Sequence, residues 1–222
     1  MNTYIPTPRT KVRRLSKRAV YDKAQVHAIL DEGFLCHVGF AQDGQPFVIP
    51  TLYARCDETL YMHGSGASRM LKTLAQGVDV CVTVTLVDGY VLARSAFHHS
   101  MNYRSVTALG RARLVADETE KLAALRAITD HVVPQRWDEV RGPNELEMKQ
   151  TIVLALPLEE VSAKVRVGPP ADDDEDYALP IWAGVVPIRA QLGEPAEDGR
   201  LLPGVQTFQV SRFALRTSKK RD

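Results

Sequence analysis

Hydrophobic spacing changes early in the chain from a helical to a strand-like period, and that change predicts much of the fold. Over 21–32 the apolar residues Val26, Ile29 and Leu30 fall on one helical face, with Asp22 placed to cap the start and Gly33 to stop the run. From Phe34 onward the pattern is that of strands, rich in β-branched and aromatic residues. Residues 34–40 and 47–53 flank Asp43-Gly44, a strong hairpin signal, and 59–63 follows a turn at Asp57-Glu58 as a third strand. A short helix is predicted over 69–76, closed by Gly77. Strands are predicted over 80–86 and 90–95 around Asp88-Gly89, both apolar throughout, as strands covered on both faces are.

A long strand segment follows over 103–115. Asp117 and Glu120 form a capping-box-like start to a helix reaching about His131, which Pro134 breaks. Residues 136–150 read as further helix with Trp137 packed, and strands over 151–156 and 161–167 bring the strand count to eight. Short antiparallel strands with turn signals and flanking helices predict a closed or split β-barrel, a shape that removes exposed edges. After Gly168 the chain becomes loop-like, with Pro169, Pro170 and an acidic run from Asp172 to Asp176 that reads as a solvated loop. That run leads into Tyr177 and Trp182, whose segment would cap a flat ligand well. A short strand is expected over 207–210, and a disordered tail holds Lys219, Lys220 and Arg221.

Composition adds bounds. At 222 residues and 45% hydrophobic, the chain can bury the core of one domain. The division expected is a basic arm over 1–19, a main domain over 20–190 and an extension over 191–222. A formal charge of +1 calls for neither a nucleic-acid nor a membrane partner. Without an apolar run of membrane-spanning length or a signal-peptide core, the expected location is the cytoplasm. Cys36 and Cys81 sit in apolar strand-like runs as small hydrophobes, and Cys56 in a turn has no paired histidine or cation to activate it. No set of residues is read as metal ligands.

The chemistry concentrates between Phe47 and Leu74. The third strand runs into Gly64, Ser65, Gly66, Ala67, Ser68 and Arg69. Gly64 and Gly66 admit close backbone approach, Ser65 and Ser68 add hydroxyls, and Ser68 can cap the helix that begins at Arg69. Arg69 and Lys72 share a helical face, so both cations can reach one phosphate. The same pattern also fits an ordinary strand-to-helix loop. His63 opens the loop, where it could hydrogen-bond a ligand, move a proton, ligate haem or serve as a satisfied loop histidine.

The segments PFVIPTLY and LYMHGSGASRML, with LARSAFHHSMNYRSVTALGRARLV over 92–115 and SAKVRVGPPADDDEDYALPIWAGVVP over 162–187, resemble the flavin-nucleotide-binding split barrels. This is the pyridoxamine 5'-phosphate oxidase-like superfamily, and the likeness is nearer its nitroimidazole-resistance-type flavoproteins than the true oxidases. WAGVVPIR, with Trp182 and Arg189, only partly echoes the arginine-rich C-terminal motif of the latter. The resemblance implies a mainly β, antiparallel Greek-key split barrel with flanking helices that binds FMN, usually as a homodimer.

By that resemblance Val48, Ile49, Pro50, Thr51 and Leu52 run beside the flavin ring. Pro50 supports this, because a proline inside a strand marks an edge or bulge. His63, Gly64, Ser65, Ser68 and Arg69 follow the ribityl chain and phosphate, with Lys72 near, and His63 takes an active-site role. His98, His99, Asn102, Tyr103 and Arg104 crowd a strand start and would complete the site from the second subunit. Adjacent strand residues face opposite ways, so one of the two histidines lines the pocket, and His99 is favoured over His98. Tyr103, Arg104 and Trp182 complete the set. The function implied is an FMN-dependent oxidoreductase passing electrons from a donor such as NAD(P)H to a small organic acceptor. No nucleotide fingerprint GxGxxG follows a strand, so a nicotinamide donor would bind only transiently. The alternatives are a non-catalytic flavin carrier or sensor, and a haem-binding split barrel.

Overall fold

The computed structural model describes residues 2–213; the tail with Lys219, Lys220 and Arg221 lies outside the described residues. Among the described residues the strands are β1 (Ala19–Val20), β2 (Leu35–Gln42), β3 (Gln45–Cys56), β4 (Thr59–Ser65), β5 (Asp79–Leu92), β6 (Ser100–Arg111), β7 (Arg113–Leu114), β8 (Thr151–Pro157), β9 (Glu160–Arg166) and β10 (Gly184–Pro187). The helices are α1 (Lys23–Glu32), α2 (Arg69–Leu74), α3 (Glu118–Val132) and α4 (Glu145–Gln150). The sheet runs β1-β9-β6-β5-β2-β3-β4-β8-β7, with β10 added to β5, and every pairing is antiparallel. This is a split β-barrel. No described helix is long and apolar enough to cross a membrane.

Local chemistry explains the element ends. Asp22 accepts from the Gln25 N–H at the start of α1, and Val26, Ile29 and Leu30 are buried as their spacing requires. Asp43 and Gly44 both take positive φ, 52° and 79°, which makes the β2–β3 turn. Ser68 caps α2 and Gly77 follows it at φ 78°. Tyr53, fully buried, donates its hydroxyl to the Leu30 carbonyl at 2.6 Å and lies 3.1 Å from that of Gly33, so β3 is tied to the end of α1. The main core fills the barrel, and a smaller cluster of Val115, Ala124, Leu125, Val153 and Ala155 seats α3 on β8.

The arm is stitched down rather than loose. Thr3 bridges Asp22, Tyr4 is buried with its hydroxyl on Glu58 at 2.9 Å, Arg9 pairs with Glu160, and β1 joins β9. Cys36 is buried beside the Thr51 carbonyl, and burial pushes its thiol up to about 12, as suits an inert hydrophobe.

Four expectations are corrected. Asp88-Gly89 is no hairpin: β5 runs straight through it, with a register shift between Val87 and Gly89 against β6. A Cβ on Gly89 would stand 2.8 Å from the Val186 carbonyl, so this glycine admits β10 rather than turning the chain. Glu120 does not close a capping box, because its carboxylate is taken by Tyr61 and Arg113. The loose helix over 136–150 is a 3-10 turn, Trp137–Glu139, and α4, whose capping box is Asn144 with Glu147. Residues 207–210 form no strand; a 3-10 turn, Val210–Phe213, begins there.

Candidate functional site

Two edges of the sheet meet the residues that the sequence singled out. β3 pairs along 45–52 with β2 alone, and meets β4 only over 53–56. The other side of its first half, with Pro50, therefore has no partner strand. Alternation then divides the predicted stretch. Val48, Pro50 and Leu52 face outward, with Val48 68% exposed, while Ile49 packs against the core and offers only its backbone to a ligand.

At the far end of β4 the loop reaches α2. Gly64 lies in the β4–β8 ladder, where an added Cβ would stand 3.0 Å from Leu71 Cδ1. The Gly66 N–H donates to the Gln150 carbonyl at 2.7 Å. Both glycines thus serve packing, against the expectation that they present donors to an anion. The loop also offers side-chain donors. Ser68 Oγ accepts from Leu71 N and Ser65 Oγ from Ala67 N, so each hydroxyl keeps its own proton to give. Arg69 and Lys72 are exposed, and the Arg69 guanidinium lies 4.1 Å over the Phe47 ring. Strand β3 and the loop before α2 are thereby brought together.

His63 goes elsewhere. In β4, Met62 points into the barrel and His63 to the opposite face, into a cleft of about 360 Å³ lined by Leu125, Thr129, Trp137, Arg141, Pro143, Glu147 and Thr151. Its Nδ1 is buried with no hydrogen-bond partner, and burial lowers its pKa, so at neutral pH the ring is uncharged with a free lone pair. The structure does not place His63 with Ser68 and Arg69.

The block before β6 also departs from expectation. Ala96–His98 is a 3-10 turn and the strand begins only at Ser100, so strand alternation does not separate the two histidines. His98 lies 3.2 Å from Asp173; His99 is exposed, and its Nδ1 lies 2.8 Å from the Ser95 carbonyl, which leaves Nε2 as the acceptor. Arg104 is bound by Asp88, at 2.7 and 2.9 Å, and by Glu32. Its pKa is raised by those hydrogen bonds, and its charge is already matched by carboxylates. Tyr103 sits half-buried opposite Arg166. Trp182 is 65% exposed and lies over Gly184. The acidic run is not wholly solvated: Asp172 is taken by Arg94 at 3.0 Å, and Arg94 lies over the Tyr177 ring.

The family described as pyridoxamine 5'-phosphate oxidase matches residues 22–165. The chain belongs to this family. Among solved structures, the flavocytochrome Anf3 from Azotobacter vinelandii is 46% identical, covering 93% of this chain and 96% of its own, with a TM-score of 0.87. The FAD and haem binding protein from Mycobacterium smegmatis is 36% identical over 85% of this chain and 93% of its own, with a TM-score of 0.82. A candidate 5-nitroimidazole antibiotic resistance protein from Bacteroides thetaiotaomicron is 24% identical over 66% of this chain and 86% of its own, with a TM-score of 0.56, and shares the fold. No curated protein matches the chain. Family membership makes the chain a relative of flavin-binding split-barrel proteins, with the stronger likeness to those that also carry haem.

Proposed function

We propose that this protein is a flavin- and haem-binding oxidoreductase, with the flavin along β3 and α2 and the haem on His63. One observation carries it: a half-buried histidine whose Nδ1 is buried without a partner faces a cleft walled in part by Leu125, Trp137 and Pro143, in a chain 46% identical to a flavocytochrome. Leu125, Trp137 and Pro143 suit the flat faces of a macrocycle, while Arg141 at the cleft is paired with Glu147 at 2.6 and 2.8 Å. When bound, the haem supplies one-electron chemistry and the flavin accepts electrons singly or in pairs.

The chain's own part is to bind, orient and shield. Ser65 and Ser68 hydroxyls with Arg69 and Lys72 hold the flavin phosphate, and Val48, Pro50 and Leu52 lie beside the ring. The dinucleotide FAD is favoured over the FMN first expected, on the strength of the 36% identical relative. A homodimer is part of the reading, because Leu35 and Leu52 are cross-strand partners that both remain exposed beside Val48, and a second copy would cover them. The electron acceptor is read as a small organic molecule, with NAD(P)H as a transient donor.

An absorption spectrum of the purified protein, with mass identification of the released cofactors, tests the reading. Flavin bands with released FAD and a Soret band that His63→Ala abolishes are expected. A yellow protein that takes up no added haemin would remove the haem, and a colourless one that takes up neither cofactor would overturn the proposal.

A further inference from the structure

Arg166 ends β9 with 8% of its surface exposed, and the two halves of its guanidinium keep different company. Nη1 donates to Asn102 Oδ1 and, at 3.3 Å, to the Gly168 carbonyl, while Nη2 donates to the Pro169 carbonyl at 3.3 Å. Nε is buried with no hydrogen-bond partner, and no carboxylate acts on Arg166 among the described residues. What remains is the Nε–Nη2 edge, whose parallel N–H groups match two oxygens of one oxyanion.

Elsewhere in this protein the same edge takes a carboxylate. Arg55 Nε and Nη2 meet Asp31 at 2.8 and 2.7 Å, and Arg104 Nε and Nη2 meet Asp88 at 2.9 and 2.7 Å. The charge that acts on Arg166 is instead a second cation, Arg18. Arg18 leads into β1, whose Ala19 faces Lys164 of β9, and burial together with the Arg18 charge lowers the Arg166 pKa. Tyr103 stands directly across the β6–β9 ladder from Arg166, on the same face. A buried guanidinium with no counter-charge is costly, and a neighbouring cation makes it more so.

We propose that Arg166, Arg18 and Tyr103 form an oxyanion site at the end of β9 that takes a phosphoryl group, seated on the Nε–Nη2 edge of Arg166. Two cations favour a dianion over a single carboxylate. The site is distinct from the haem placement on His63, since four strands separate β9 from β4 in the sheet order.

Isothermal titration of the cofactor-loaded protein with inorganic phosphate and with ADP tests it. Saturable binding is expected, weakened about tenfold or more by Arg166→Lys, which keeps the charge but loses the two-pronged edge. Arg18→Gln, at a half-exposed position where folding is safe, is expected to weaken binding several-fold with flavin content unchanged. Equal affinity for the two probes identifies free phosphate as the ligand; much tighter ADP binding identifies a nucleotide. Should Arg166→Lys fail to fold, Arg18→Gln decides alone. The proposal is overturned if neither probe binds, or if the folded variants bind both as the wild type does. It is also overturned if Arg166→Lys splits a dimer while leaving binding untouched, for the edge then belongs to a second copy's carboxylate.

Discussion

The Arg69 guanidinium lies 4.1 Å from the centre of the Phe47 ring, which joins the first turn of α2 to the start of β3. Stacking holds a cation in place without consuming its N–H groups, so the charge stays free for a phosphate. The contact brings together two segments some twenty residues apart, as the proposed flavin site requires.

Arg69→Ala should therefore weaken flavin binding by about ten- to a hundredfold, or roughly 1.5–3 kcal/mol. Arg69→Lys should fall between, keeping charge but losing the stack. Flavin fluorescence quenching gives both affinities, and a wild-type value for the alanine variant would place the phosphate elsewhere.

A pH effect follows from two half-buried histidines. Burial lowers the pKa of His63 and, with help from Arg55, that of His27. In the unfolded chain each takes a proton near pH 6.5, about the ordinary imidazole value, whereas the folded protein resists it. Between the two pKa values the unfolded state holds more protons, so stability falls as pH drops below about 6.5 and returns as pH rises. Urea midpoints of haem-free protein at pH 7.5 and 5.5 should differ less in His63→Gln than in the wild type. An unchanged difference would show that His63 is not held neutral by the fold.

Tyr53→Phe removes a 2.6 Å hydrogen bond to Leu30 and leaves that carbonyl without it at the end of α1. The expected cost is about 1–2 kcal/mol, seen as a melting temperature lower by roughly 2–8 °C. Calorimetry would measure it, and no change would mean that α1 is anchored by packing alone.

Gly89→Ala tests the reading of β5 as one bulged strand. The new Cβ would meet the Val186 carbonyl at 2.8 Å and Pro187 Cα at 3.2 Å, backbone that can yield only by moving β10. A loss of about 1–3 kcal/mol is expected, with faster hydrogen exchange confined to β10 and its partner segment of β5. A hairpin tip at this position would tolerate alanine far better.

Local chemistry made much of the fold legible in advance. Asp22 and Ser68 announce helix starts, Asp43-Gly44 a turn, and Val26, Ile29 and Leu30 a buried face, because each depends on neighbours within a few residues. The same locality misled at Asp88-Gly89, where the dipeptide reads as a turn and the deciding contact comes from β10 nearly a hundred residues later. Arg104 read as a cofactor-binding residue until Glu32 and Asp88 were folded around it, and Arg166 gave no signal at all until the strand end that buries it was in place.

The sequence by itself determined most of the elements and the family, and it places Ser65, Ser68, Arg69 and Lys72 within one short loop and helix. Only the tertiary structure decided which way His63 faces and which cations are already paired. Strand alternation sends neighbouring residues to opposite faces, and a charge is matched by whichever carboxylate the fold brings near it, however far off in the chain.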